Sequence, residues 1–204
     1  MLIRKHISAL VRVLAGLPAQ QPRAQSRHLA IATQEALGVV SDAVTSGSWT
    51  GLDFFISTTK HELSRTFVAN LRSFLVERDD YDVRVIGSDC VVVGASGPVH
   101  VYWTSLVYPS GARVVLPTLV KRGDVTLEAR AILGLQACCG PLTGLPDRVN
   151  VWSSLNLFSG ESYLADGDSL TPFSPEELRF ACAKLSMPPP SEGSLSRGDF
   201  VGPV

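Results

Sequence analysis

The sequence predicts an α+β fold, a six- to seven-stranded antiparallel meander sheet flanked by an N-terminal and a C-terminal amphipathic helix. Three observations predict it. Between Tyr81 and Phe158, apolar residues recur with a period of two in short, Val-rich runs. Gly, Pro, Ser and Asp punctuate those runs at turn-length intervals. On both sides of the region the apolar spacing changes to that of a helix.

Residues 1–31 come first. The leading 34 positions hold Arg4, Lys5, Arg12, Arg23 and Arg27 and no acid, the first acidic residue being Glu35. On a helix, Leu2, Ile3, Leu10, Val13 and Leu14 gather on one side and Arg4, Lys5 and Arg12 lie toward the other. An amphipathic, Arg- and Ala-rich, acid-free opening predicts a mitochondrial transit peptide, cut near Arg27–Ile31. A secretory signal would not carry Arg12 inside its apolar stretch. An ordinary first helix and a basic arm for nucleic acid are the other readings of the same residues. The chain's formal charge of −1 hides an asymmetry, because beyond position 34 there are 13 basic against 19 acidic side chains, a net of −6.

Residues 32–187 then form the single expected domain, since 204 residues with 45% hydrophobic content suit one sizeable core. Ala36, Leu37, Val40 and Val44 recur at helical spacing up to Ser46-Gly47-Ser48. The principal helix opens at Thr59 and Glu62 and carries Leu63, Phe67, Leu71, Phe74 and Leu75 as one stripe. Its exit holds an acidic knot, Glu77, Asp79, Asp80 and Asp82, which reads either as a solvated loop or as a docking point for a basic partner.

The strands follow. Val83 and Val85 alternate with polar neighbours, Val91-Val92-Val93 follows a turn at Gly87-Ser88-Asp89, and Val99, Val101 and Trp103 follow one at Gly94–Pro98. Val107-Tyr108 and Arg113–Leu116 flank Pro109-Ser110-Gly111. Val125, Leu127, Ala129, Ala131 and Leu133 alternate strictly, predicting another strand, and Val149–Leu157 closes the series. Between these last two, residues 134–147 read as an exposed loop or flap. The stretch from Ser159 to Ser169 reads as a polar turn. Ser174, Pro175, Glu176 and Glu177 start a C-terminal helix whose Leu178, Ala181, Cys182 and Leu185 face one way. Pro188-Pro189-Pro190 ends it, and 188–204 forms a flexible Pro/Gly/Ser-rich tail.

For chemistry, no G-x-S-x-G elbow and no glycine-rich phosphate loop followed by Lys is present. No catalytic set, metal, cofactor or small-molecule substrate is expected, and no apolar run reaches the roughly 18 residues of a membrane span. The four cysteines form no Cys-x-x-Cys pair. Cys90 and Cys182 fall at core positions, so buried reduced thiols are expected. Tyr102, Trp103 and Arg113 make an aromatic and basic mixture suited to stacking on single-stranded RNA, although a net charge of −6 limits any broad phosphate footprint.

The element order adds a resemblance. The helix Glu62–Arg78 leading into Tyr81–Val85, the Gly-marked turns to Val91–Val93 and Val99–Trp103, and Arg148–Phe158 followed by Ser159–Ser162 and the helix at Ser174 resemble the mitochondrial glycoprotein family of acidic matrix proteins. The likeness spans about residues 57–186. It implies a doughnut-shaped trimer in the mitochondrial matrix, acting as a non-catalytic scaffold or chaperone for basic proteins or ribonucleoprotein complexes such as mitoribosome or RNA-processing assemblies. Unlike that family, this chain is only mildly acidic and has one short C-terminal helix. The expected function is therefore an oligomeric matrix scaffold, of identical or related subunits, without membrane insertion. The alternatives are an RNA-binding module similar to the Whirly-type organellar proteins, and an accessory subunit of a large mitochondrial complex.

Overall fold

A computed structural model of the chain describes residues 3–17, 25–76, 82–94, 97–108, 113–119, 125–142, 144–146 and 148–186. Six strands form one sheet: β1 (Ile3–His6), β2 (Arg84–Gly94), β3 (Gly97–Val107), β4 (Arg113–Thr118), β5 (Val151–Asn156) and β6 (Ser162–Asp166). The six helices are α1 (Ile7–Leu14), α2 (Gln25–Ser46), α3 (Thr50–Thr58), α4 (Glu62–Val76), α5 (Val125–Cys139) and α6 (Pro175–Ser186). The α+β class is as expected.

The sheet is mixed rather than a pure antiparallel meander. β2 pairs antiparallel with β3 along its whole length, Arg84 opposite Val107 and Gly94 opposite Gly97. The other edge of β3 is shared, β1 running parallel to it at Val99–Tyr102 and β4 antiparallel at Leu106 and Val107. β5 lies parallel to β4, and β6 antiparallel to β5. The parallel β4–β5 step needs a crossover, which α5 supplies.

That crossover overturns the strand expected at 125–133. Val125, Leu127, Ala129, Ala131 and Leu133 do alternate, but the helix buries Val125, Glu128, Ala129, Ala131, Ile132, Gly134 and Leu135, a set spaced by threes and fours as on one helix side. The segment is apolar almost all round, so its period was undecided. Its Ala, Leu, Glu, Arg and Gln content favours helix over strand. Gly134 sits inside this helix for a packing reason: a Cβ there would lie 2.5 Å from the Phe173 carbonyl oxygen and 3.0 Å from Leu178 Cδ1.

Two further expectations change, and the first residues have a place in the fold. Gly87-Ser88-Asp89 is not a turn but the middle of β2, where the ladder to β3 continues unbroken. The stretch expected as a polar turn contains β6, held by the ladder to β5. Residues 3–14 are built into the fold, with β1 on the edge of β3 and Ile7, Leu10, Val11 and Val13 of α1 buried.

Two cores result, one on each face of the sheet. α1, α5 and α6 pack on Cys90, Val92, Val99, Val101, Trp103, Val114 and Trp152. On the other side α2, α3 and α4 pack on Val83, Leu106, Val115 and Leu155. Ser64 of α4 donates to the Glu35 carboxylate of α2 at 2.6 Å, tying two helices of that layer together. The inward face of α6 matches expectation, with Leu178, Ala181, Cys182 and Leu185 buried, and so does that of α4 at Phe67, Leu71, Phe74 and Leu75, whereas Leu63, expected in the same stripe, is exposed.

Candidate interaction face and thiol cluster

The α2–α4 layer covers only half of its side of the sheet. Toward the β2–β3 hairpin end and β1, that face carries Arg4, His6, Asp89, Val91, Val93, His100 and Tyr102, set by the strand registers. No helix among the described residues belongs to a core on that stretch. Val91 is 49% and Val93 69% exposed, while the intervening Val92 points into the opposite core. Alternation thus continues along β2 after its outward side has lost its cover.

The polar groups on this face are ordered by one another. The Arg4 guanidinium lies 4.5 Å from the centre of the Tyr102 ring. His6 meets the same ring edge-on at 5.4 Å. His100 Nε2 and the Asp89 carboxylate are 2.5 Å apart. A cation over an aromatic face contributes about 0.5–1 kcal/mol at exposed sites, a modest bias toward this orientation of Tyr102.

The residues expected to contact RNA are not brought together. Tyr102 lies on the open face, but Trp103, its neighbour on a strand, points the other way and is 2% exposed. Arg113 sits in the α4 layer, its Nε donating to Ser153 Oγ at 3.0 Å and its guanidinium 5.5 Å from the Phe74 ring. Of the acidic knot, Glu77, Asp79 and Asp80 lie outside the described residues. Asp82 is exposed and borders a shallow open cleft of about 460 Å³ with Ser41, Val44, Thr45 and the first residues of β2.

One convergence escaped the sequence entirely. The four cysteines of the chain are free and distributed over β2, α5 and α6, three elements that pack against one another. Cys139 ends α5, and its Sγ lies 3.9 Å from the carbonyl oxygen of Val91, the residue after Cys90. Burial pushes the Cys90 thiol upward, and Cys139, Cys182 and Asp89 add to that shift. Burial also pushes Cys182 up to about 11, with Cys139 and Cys138 contributing. Cys138 is raised by burial and by Cys139, against the opposing charge of Arg179. No Cys-x-x-Cys spacing announces this, because the meeting depends on α5 being a helix that ends beside β2. Among the described residues no group of three or more His, Cys, Asp or Glu is arranged to hold a metal ion.

Among the described residues no helix is long and apolar enough to cross a membrane. Neither a known protein family nor a curated protein matches the chain.

Proposed function

We propose that this protein is a non-catalytic scaffold of the mitochondrial matrix that assembles with copies of itself or related subunits through the uncovered stretch of its sheet, and in that form holds basic proteins or ribonucleoprotein complexes. The observation that carries the reading is the exposure of Val91 and Val93 on a sheet face that no helix among the described residues covers. A Val side chain gains about 1.5–3 kcal/mol on full burial, so pairing two such faces recovers a free energy that the monomer forgoes. Arg4, His100 and Asp89 beside the valines form the kind of polar rim that fixes register at an interface. Oligomerisation is what the family resemblance implies, and among the described residues this is the stretch of sheet that an assembly would cover.

The location rests on the composition of residues 1–31. The packing of β1 and α1 attaches a condition to it: the segment stays on the chain after import, or another strand takes its place along Val99–Tyr102 of β3. Sequencing the N-terminus of the protein recovered from mitochondria distinguishes the two.

The mass of the native particle tests the assembly. A multiple of the chain mass in native mass spectrometry, three by the family resemblance, is expected, with a Val91→Asp, Val93→Asp double variant falling to one chain while keeping its circular dichroism. A wild-type protein of one chain mass at micromolar concentration overturns the reading. Single-stranded RNA is the second reading, favoured by Tyr102 held between Arg4 and His6 on an open sheet face. A monomer that binds RNA with a steep salt dependence, lost in Tyr102→Ala, would establish it in place of the first.

A further inference from the structure

We propose that Cys139 and Cys90 are an oxidisable thiol pair, closing to a disulfide that ties the end of α5 to β2. Cys139 is exposed at the last residue of its helix, where an oxidant reaches it without opening the fold. Its sulfur already touches the β2 backbone at Val91, one residue from Cys90. Cys90 points inward from β2 on the side that packs against α6, and Gly94 further along the strand would place a Cβ 3.1 Å from the Ala183 nitrogen. β2, α5 and α6 are therefore in close register around these sulfurs.

The other pairings fit less well. Cys138 and Cys139 are adjacent, and a bridge between neighbours distorts the peptide between them and the helical turn that holds both. Cys182 is fully buried on α6, whereas Cys90 keeps 8% exposure and is next in sequence to Val91, whose carbonyl oxygen the Cys139 sulfur meets.

The chemistry needs a two-electron oxidant, and a peroxide supplies it. The Cys139 thiolate attacks one peroxide oxygen, the O–O bond breaks, and the sulfur is oxidised to a sulfenic acid with release of water after proton transfer. The Cys90 sulfur then attacks that sulfur, the S–O bond breaks, and a second water leaves as the disulfide forms. Overall, two thiols and one peroxide give one disulfide and two waters. The raised pKa of buried Cys90 leaves little thiolate for this second step, and the proximity of the two sulfurs offsets that loss. The product fixes the segment after α5 against β2, the strand that carries Val91 and Val93.

The test uses the full chain treated with hydrogen peroxide, then alkylated in denaturant and digested without reduction. Loss of two of the four thiols and a linked peptide pair containing Cys90 and Cys139 of the same chain is the expected result. Cys138→Ser should leave that pair intact. Cys139→Ser, at an exposed site that folding does not depend on, should leave Cys90 fully alkylated after the same treatment. Alkylation of Cys90 in oxidised wild type, a Cys90–Cys182 or Cys138–Cys139 link as the main product, or Cys139 recovered only in links between chains would each overturn the proposal.

Discussion

β5 and β2 belong to one sheet and have opposite surroundings. β5 lies between β4 and β6 with a helical layer on each face, and every residue from Trp152 to Asn156 is buried. β2 is paired on one side only among the described strands and covered on one face, so that burial alternates residue by residue from Gly87 to Gly94. The sequences follow: Val-Trp-Ser-Ser-Leu-Asn shows no alternation because neither face meets water, and its small serines fit where both layers press in. In β2 the pattern is obscured for a different reason. The outward positions Val91 and Val93 are as apolar as the inward Val92. The composition of a doubly covered strand follows from the fold, whereas the exposed Val91 and Val93 are the residues on which the proposed assembly rests.

The largest effect that sharpens this contrast comes from paired substitutions. Trp152→Ala removes a fully buried ring and should cost about 3–5 kcal/mol. Val93→Ala should change monomer stability by no more than about 0.5 kcal/mol and weaken assembly instead. Urea unfolding at low and high protein concentration separates the two. A loss at Val93 comparable with that at Trp152 under dilute conditions would mean that the face is covered within the chain.

Leu10 tests the half of the sheet to which β1 belongs. It is fully buried in the α1–α5–α6 core, so Leu10→Ala should cost about 2–5 kcal/mol in the unprocessed chain. A chain beginning at residue 32 should lose stability of the same order or more, since it also forfeits the β1 ladder to Val99–Tyr102. If the shortened chain unfolds with an unchanged midpoint and slope, β1 and α1 contribute nothing to the folded domain. The contrast would then lie between one covered half and one bare half.

What could be read from the sequence was the part with a single dominant period. The stripe of α4, the inward face of α6 and the β3 alternation through Val99, Val101 and Trp103 each show one spacing, and each packs as expected. α5 was illegible because Val125 to Leu133 satisfies two periods at once, and only the parallel pairing of β4 with β5 makes helix the requirement. β1 was hidden by the basic, acid-free composition it shares with a targeting segment. Tyr102 and Trp103 looked like one aromatic pair because adjacency in sequence is separation across a strand. The thiol cluster had no signal at all in spacing, since three elements that meet only in the folded chain supply it.

The smallest effect tests the covered face of the weaker half, where α6 packs on β2 and β3. Its first turn is closed by a reciprocal pair, Glu177 N–H donating to Ser174 Oγ at 3.2 Å and Ser174 N–H to the Glu177 carboxylate at 2.7 Å. Ser174→Ala should cost about 0.5–2 kcal/mol. The backbone N–H of Ser174, then its hydroxyl, hold the Glu177 carboxyl below the usual carboxylate range, with Arg130 helping and burial opposing. The folded pKa is lower than the unfolded one, so this contribution is complete above the unfolded value and disappears as pH falls through the folded value. Glu177→Gln should therefore lower the melting temperature slightly at neutral pH and not at all once the wild-type carboxyl is protonated. A difference that persists unchanged into acid would assign the effect to packing of the side chain rather than to its charge, and would leave the hold of α6 on β2 independent of its cap.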